Sequence, residues 1–397
     1  MNIDINVTST CNLGCKYCSE GHNPDMPDLA KIENSKTDVK TQEIINFITK
    51  LREKDKEEKI KISFWGGEPM MNMNYCLDLM LFYKDDINIS FFFYTNGTYI
   101  KKFEKSLENI NLLLGSSNTN EKRLIIQISY DGKAVNDIER LTKNNLSTSN
   151  QVKEAFEILG KIGIERSIKS TITPRTFKHI FESFVDVITI PGNSNYNPTP
   201  DTYNDYDINY QDEYMNDLKL GLMKIAKYIY ENKLPIQSFG WFRNSRALCS
   251  AGIDYFAINL DGTLSPCHGT MYQEHGDHEL GNINDEDIID ILDKATSKYK
   301  ELNNYMNDDC TNCKSLFCMK CPAGSYNLKS SRENAKFKLN DFVNNQRNLD
   351  EYKMNWTTKN INTCKVFKLN DVIHKSLLTA LKQQPVMSTQ KNCELKR

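Results

Sequence analysis

The sequence predicts an α/β fold organised around a parallel sheet, and three observations lead there. Short stretches that alternate apolar and polar residues take turns with stretches of helical spacing. Six such units run in succession before residue 191, and consecutive strands separated by helices pair in parallel. Two of the strands run directly into residues suited to a site: a three-cysteine loop after the first and a glycine pair after the second.

In chain order, residues 2–8 alternate as a strand, and Cys11-Asn-Leu-Gly-Cys15-Lys-Tyr-Cys18 follows. Residues 41–54 have helical spacing. Residues 59–64 alternate again and end in Trp65-Gly66-Gly67-Glu68-Pro69. A helix is expected near 74–84, a strand at 87–95 closing on Thr95-Asn96-Gly97-Thr98, a helix near 98–108 and a strand at 123–130. Helix 151–162, strand 164–172 and helix 175–184 continue the pattern, and Val185–Ile190 reads as a sixth apolar strand stopped by Pro191-Gly192. Residues 192–214 lack apolar periodicity and read as an exposed loop or lid. A helix over 213–231 closes the first unit at Leu234-Pro235. Beyond Cys249, Asp261-Gly262 between alternating residues signals a hairpin. A helix is expected over 370–383, and the polar tail carries no motif.

Composition narrows the function classes. The 397 residues carry a formal net charge of -2, so no field of one sign points to nucleic acid or a membrane as an obligate partner. No apolar run approaches the roughly 18 residues of a spanning helix, and the N-terminus has no signal-peptide pattern, so a cytoplasmic location is expected. Twelve cysteines are poorly suited to disulfides in that compartment. All but Cys76 and Cys393 fall at ligand-like spacings, which favours metal or cluster binding.

Cys11, Cys15 and Cys18 suit an iron-sulfur loop. Three thiolates hold three irons of a [4Fe-4S] cube and leave the fourth open to a small molecule. A zinc site lacking its fourth ligand, or thiols that are merely neighbours, has the same spacing. The C-x3-C-x2-C loop and the Gly66-Gly67-Glu68-Pro69 strand end fall at the same C-terminal edge of the sheet, where barrel enzymes place their sites. With both motifs the chain resembles the radical SAM superfamily. That resemblance implies that S-adenosylmethionine chelates the open iron and is reductively cleaved to a 5'-deoxyadenosyl radical, which abstracts hydrogen from substrate.

It also implies roles for particular residues. Gly66 and Gly67 let backbone approach the methionine ammonium of the cofactor. Glu68 belongs to the same edge, or holds the loop's own amides. Tyr17 packs on adenine or meets it through its backbone, or serves plain packing. Asn96 belongs to the cofactor site or to turn chemistry alone. Ser129-Tyr-Asp-Gly132, followed by Asp137-Ile-Glu-Arg140, resembles the stretch that peptide- and protein-modifying members use. There Ser129 and Arg140 would contact the carboxylate and ribose side of S-adenosylmethionine, although their spacing is one residue shorter than in sulfatase-maturing members.

The second cysteine set runs Cys249, Gly262, Cys267, Cys310-x2-Cys313-x5-Cys318-x2-Cys321 and Cys364, and it resembles the SPASM domain, with x2 in place of x3 in the last pair. Zinc is the competing reading, but two CxxC pairs so close together wrap one tetrahedral ion poorly. The resemblance implies a partial (β/α)6 TIM-type barrel with a C-terminal SPASM domain, and three [4Fe-4S] clusters in all. Residues 1–233 would form the barrel, 234–248 a bridge, 249–370 the SPASM domain and 371–397 a helix and tail. Cys310, Cys313, Cys318 and Cys364 would hold the outer auxiliary cluster, and Cys249, Cys267 and Cys321 the inner one. The inner cluster is then one cysteine short, because Tyr255 stands where fully ligated members place another. Asp254, water or substrate could fill the position. His268 occupies the place where sulfatase-maturing members put a proton-accepting aspartate; it is either the base or a loop histidine. His275 and His278 read as a solvated loop.

The expected function is radical modification of a ribosomally made precursor peptide: a crosslink, a thioether or a similar change. A separate leader-recognition protein and an electron donor such as flavodoxin or ferredoxin are the expected partners. Formylglycine formation on a sulfatase, or chemistry on a small metabolite, is the second reading, and an iron-sulfur electron carrier the third.

Overall fold

The computed structural model describes residues 1–18, 35–115, 122–201, 212–242, 249–270, 279–304 and 361–382. Six strands, β1 (Asn2–Asn6), β2 (Ile60–Trp65), β3 (Ile89–Thr95), β4 (Leu124–Ser129), β5 (Glu165–Ile172) and β6 (Pro198–Pro200), pair in parallel in sequential order. The connecting helices are α1 (Thr41–Leu51), α2 (Met73–Phe82), α3 (Ile100–Gly115), α4 (Lys133–Glu139), α5 (Ser149–Lys161) and α6 (Ile180–Ile188). The α/β class with a parallel sheet is as the sequence predicts.

Strand patterning explains where the site lies. Ile3 and Ile5, Ile60, Ile62 and Phe64, Phe91 and Phe93, and Ile126 and Ile128 are buried in one continuous core with the helices. The alternate positions, among them Asp4, Ser63, Trp65, Tyr94, Gln127, Ser129 and Lys169, project to the opposite face. A parallel sheet packed into core on both faces has nearly continuous apolar strands; here the second face mixes polar residues with aromatics such as Trp65, Phe92 and Tyr94, a mixture suited to the inner, concave side of a barrel-type site.

One expectation is overturned. Val185–Ile188 are not a sixth strand but the last turn of α6, whose buried residues Ile180, Ser183, Phe184 and Val187 follow helical spacing. The sixth strand is Pro198–Pro200, within the stretch read as a loop or lid, and it pairs with Ser170–Ile172. Two prolines cannot donate to a ladder, which suits an edge strand and removes the alternation that betrays one in sequence. Tyr196 nearby is fully buried, and the Trp241 indole donates to the Pro198 carbonyl at 2.6 Å.

The Asp261-Gly262 hairpin forms as expected, joining β7 (Tyr255–Ile258) to β8 (Thr263–Ser265), with Gly262 at φ 85°. β7 also pairs in parallel with β1, and β9 (Gly281–Asn282) follows β8, so the segment after Cys249 extends the same sheet. Helix α7 (Asp212–Glu231) packs against α9 (Ile361–Lys382), while α8 (Ile288–Asn304) adjoins β9. α9 starts earlier than the sequence suggests and is anchored by Asn370, whose amide donates to the Trp241 carbonyl at 2.9 Å. Among the described residues no helix is long and apolar enough to cross a membrane.

Candidate active site

The cysteine loop leaves β1 at the C-terminal edge of the sheet. Cys11, Cys15 and, partly, Cys18 are buried together around Leu13. The loop is pinned by backbone bonds from Gly14 to the Leu141 carbonyl and from Lys16 to the Glu139 carbonyl, both 2.9 Å. Burial pushes the Cys11 thiol up to about 12, with Cys15 and Glu68 adding to the effect, and burial raises Cys15 too. Thiols so placed stay protonated at neutral pH, as the core thiol of Cys76 does too.

The glycine pair closes directly on this loop. A Cβ on Gly66 would stand 2.2 Å from the Thr8 carbonyl oxygen, and one on Gly67 2.5 Å from that of Thr10. Gly67 and Glu68 donate their backbone N–H groups to those two carbonyls at 2.8 and 2.9 Å. Glu68 is fully buried and accepts from Met70 N, Thr95 Oγ1 and Asn96 N. Burial raises its carboxyl against the pull of these bonds. It therefore ties the turn to the end of β3. Asn96 reaches further than turn chemistry requires: its amide donates to Asn12 Oδ1 at 2.9 Å and lies 3.9 Å from Cys11 Sγ.

On the other flank, Tyr17 donates its hydroxyl to Asp131 Oδ2 at 2.5 Å and accepts from Arg140 Nη1 at 2.8 Å. Asp131 also takes the Thr171 N–H at 2.7 Å. All three side chains are buried. Burial opposes the Arg140 charge, but Cys15, Tyr17 and Asp131 together raise its affinity for the proton. Ser129, at the end of β4, stands in register with Lys169 of β5.

A second group of residues occupies the β1–β7 side. Asp4 of β1 is 1% exposed and takes the Tyr255 hydroxyl, while His268 Nδ1 lies 2.9 Å from Asp4 Oδ2 and also meets the Tyr255 hydroxyl. The Trp65 ring stacks on His268 with centroids 4.3 Å apart, and Tyr94 packs edge-on against Trp65. Behind them Cys267, Ala251, Cys249 and Tyr255 form one cluster. The Asp4 Oδ1 atom is buried with no hydrogen-bond partner among the described residues.

Two family models match the chain: the radical SAM superfamily over residues 5–185 and an iron-sulfur cluster-binding domain, SPASM, over residues 249–314. The chain belongs to the radical SAM superfamily.

Similarity to curated proteins runs along most of its length. A cysteine-type anaerobic sulfatase-maturating enzyme of Clostridium perfringens is 22% identical over 87% of this chain and 94% of its own. The radical SAM cyclopropyl synthase TigE of Paramaledivibacter caminithermalis is 22% identical over 78% of this chain and 65% of its own. The structure of native anSMEcpe with bound AdoMet matches at a TM-score of 0.68 and 18% identity, covering 96% of this chain and 99% of that one, a likeness that carries the fold.

The donor set fits the cofactors of a radical SAM enzyme. Cys11, Cys15 and Cys18 pack around one buried residue, Leu13, although among the described residues no three potential ligands stand close enough together to hold a metal ion as they are, and the glycine turn lies tight against the backbone of Thr8, Ser9 and Thr10 that leads into the loop. Of the SPASM cysteines, Cys249 and Cys267 belong to one packed cluster with Ala251 and Tyr255. Cys310, Cys313, Cys318 and Cys321 lie outside the described residues, as do His275 and His278, and Cys364 is in the first turn of α9. Tyr255 turns its hydroxyl to Asp4 and His268.

Sequence reasoning missed Asp4, Trp65, Asp131 and Lys169. An acid between Ile3 and Ile5, on the polar face of a central strand, was the available signal for Asp4. Lys169 carried none, because a lysine in an alternating strand ordinarily faces water. Here it bonds Thr199 Oγ1, forms no ion pair among the described residues, and is lowered to about 8 by burial, with Asp131 pulling the other way.

Proposed function

We propose that this radical SAM enzyme modifies a residue of a peptide or protein substrate presented to the concave face of the sheet, with His268 acting on the substrate. The observation that carries the reading is the Trp65–His268 stack. Trp65 directly precedes Gly66, so it sets His268 beside the turn proposed to meet S-adenosylmethionine. Cys11, Cys15 and Cys18 would hold the cluster, and Cys249 and Cys267 would contribute to a second one. When bound, cluster and S-adenosylmethionine supply hydrogen-atom abstraction from carbon.

This chain's own residues then have separable tasks. Gly66, Gly67, Asn96, Ser129 and Arg140 orient the cofactor. Asp4 and Tyr255 hold Nδ1 of His268, which leaves Nε2 for a substrate proton. Trp65 and Tyr94 cover the ring and exclude water from one side. A precursor peptide, with a separate leader-recognition protein, is the substrate class we favour.

Formylglycine formation on a sulfatase cysteine is a second reading, supported by the length match to the sulfatase-maturating enzymes. Histidine at 268, where those members are expected to place aspartate, weighs against it. The test is anaerobic reconstitution with dithionite and S-adenosylmethionine, followed by mass spectrometry on two peptides: one bearing a sulfatase cysteine motif, one encoded beside this gene. A mass change confined to the neighbouring peptide supports the first reading. Conversion of the sulfatase peptide alone replaces it with the second. No 5'-deoxyadenosine, with clusters intact, sinks both.

A further inference from the structure

Beyond the turn that carries Gly66 and Gly67, residues 70–74 form one wall of a groove of about 310 Å³, lined also by Lys36, Tyr99, Lys102 and Phe103. His268, Trp65 and Tyr94 are not among the residues that line it. Met70 and Met73, which also line it, belong to the core between sheet and helices. Among the described residues no acidic one lines it, and neither Lys36 nor Lys102 forms an ion pair.

Two features mark the groove as a surface for an anionic partner. Lys101 and Lys102 occupy the first turn of α3, which contains no acid, although the helix dipole disfavours cations there. Lys101 is offset by Glu154, but the Lys102 ammonium sits over the Tyr99 and Phe103 rings at 5.5 and 5.1 Å, with no carboxylate paired to it among the described residues. The groove is also close to the first cluster loop. Asn96, 3.9 Å from Cys11 Sγ, accepts from Thr98, and Thr98 accepts from Asn12. Tyr99 lies three residues from Asn96, at most about 11 Å between Cα atoms at 3.8 Å per trans peptide.

We propose that this groove is the docking face for an acidic one-electron carrier protein that reduces the cluster held by Cys11, Cys15 and Cys18. The inference rests on the radical SAM reading and adds the place where its reductant binds. The carrier gives up one electron and the cluster gains it; no atom is transferred. Soft methionines and two cations around a small concavity suit the small, transient interfaces of redox partners.

The test is the Lys36→Glu/Lys102→Glu double variant of the reconstituted enzyme, with a flavodoxin and a ferredoxin as probes. Affinity for each carrier is measured by calorimetry at two salt concentrations. 5'-Deoxyadenosine formation is measured with the reduced carrier and, separately, with dithionite. At least one carrier should bind the wild type in a salt-sensitive way and bind the variant about tenfold more weakly. The carrier-driven rate should fall in parallel while the dithionite rate is unchanged. A Lys36→Arg/Lys102→Arg variant should behave as wild type.

Unchanged affinity for both carriers overturns the proposal, and so does an equal fall with carrier and with dithionite. Absence of 5'-deoxyadenosine from wild type with dithionite would instead overturn the radical SAM reading, while the binding measurements still judge the surface.

Discussion

Trp65 lies on His268, ring centroids 4.3 Å apart and planes at 24°, and joins the glycine turn after β2 to the loop after β8. An imidazole held on one face by indole and at Nδ1 by Asp4 and Tyr255 has one orientation. Replacing His268 with Asn should leave 5'-deoxyadenosine formation within a few-fold of wild type. Modified product should fall by roughly 10²-fold or more. The ratio of product to 5'-deoxyadenosine reads this directly, and a parallel fall in both would remove His268 from the substrate step.

Asp4→Asn tests the support behind that ring. The amide keeps the volume but cannot hold the imidazole through a charge-assisted bond. Product formation should drop about tenfold with 5'-deoxyadenosine spared, and Asp4→Glu should recover part of it. Loss of folding without loss of coupling, seen by thermal melting, would assign Asp4 to structure only.

Gly66→Ala puts a Cβ 2.2 Å from the Thr8 carbonyl at a φ of 136°, where an alanine is already strained. The cost should be at least about 2 kcal/mol. Because the clash lies on the segment that leads from β1 to Cys11, iron content should fall with stability. Chemical denaturation and iron analysis of the reconstituted protein check both, and a variant that is stable and fully loaded contradicts this account of the glycine.

Lys169 makes a pH prediction. Burial lowers its ammonium from 10.5 to about 8, against the attraction of Asp131 beyond β4; its bonded neighbour is Thr199 of β6. Between about pH 8 and 10.5 the unfolded chain holds a proton that the folded chain has shed, so this lysine's contribution to stability rises with pH across that window. Below pH 8 the half-buried charge is a constant cost. Lys169→Met should therefore stabilise the protein at pH 7 by about 1–3 kcal/mol and remove that rise. Urea melts at pH 7, 8 and 9.5 decide it; equal slopes in both proteins would refute the assignment.

Some of this site was legible in the chain itself. The cysteine spacing, the Gly66-Gly67 pair and the Asp261-Gly262 turn are local features: ligands a few residues apart, a backbone approach that excludes a Cβ, a turn that needs a positive φ. Each is written in contiguous residues, and the strand and helix periods between them set the parallel sheet. β6 escaped because Pro198 and Pro200 erase the alternation from which a strand is recognised.

The sequence by itself determined the fold class, the first cysteine loop and the turn that closes on it. Only the tertiary structure decided what faces that loop across the concave side. Asp4 and Tyr255 are 251 positions apart, Asp4 and His268 264, and no period or motif links them. β7 pairing with β1 brings them together. Lys169 likewise becomes unusual only when the sheet sets it, half-buried, on the face it shares with Ser129 and within reach of the Asp131 charge.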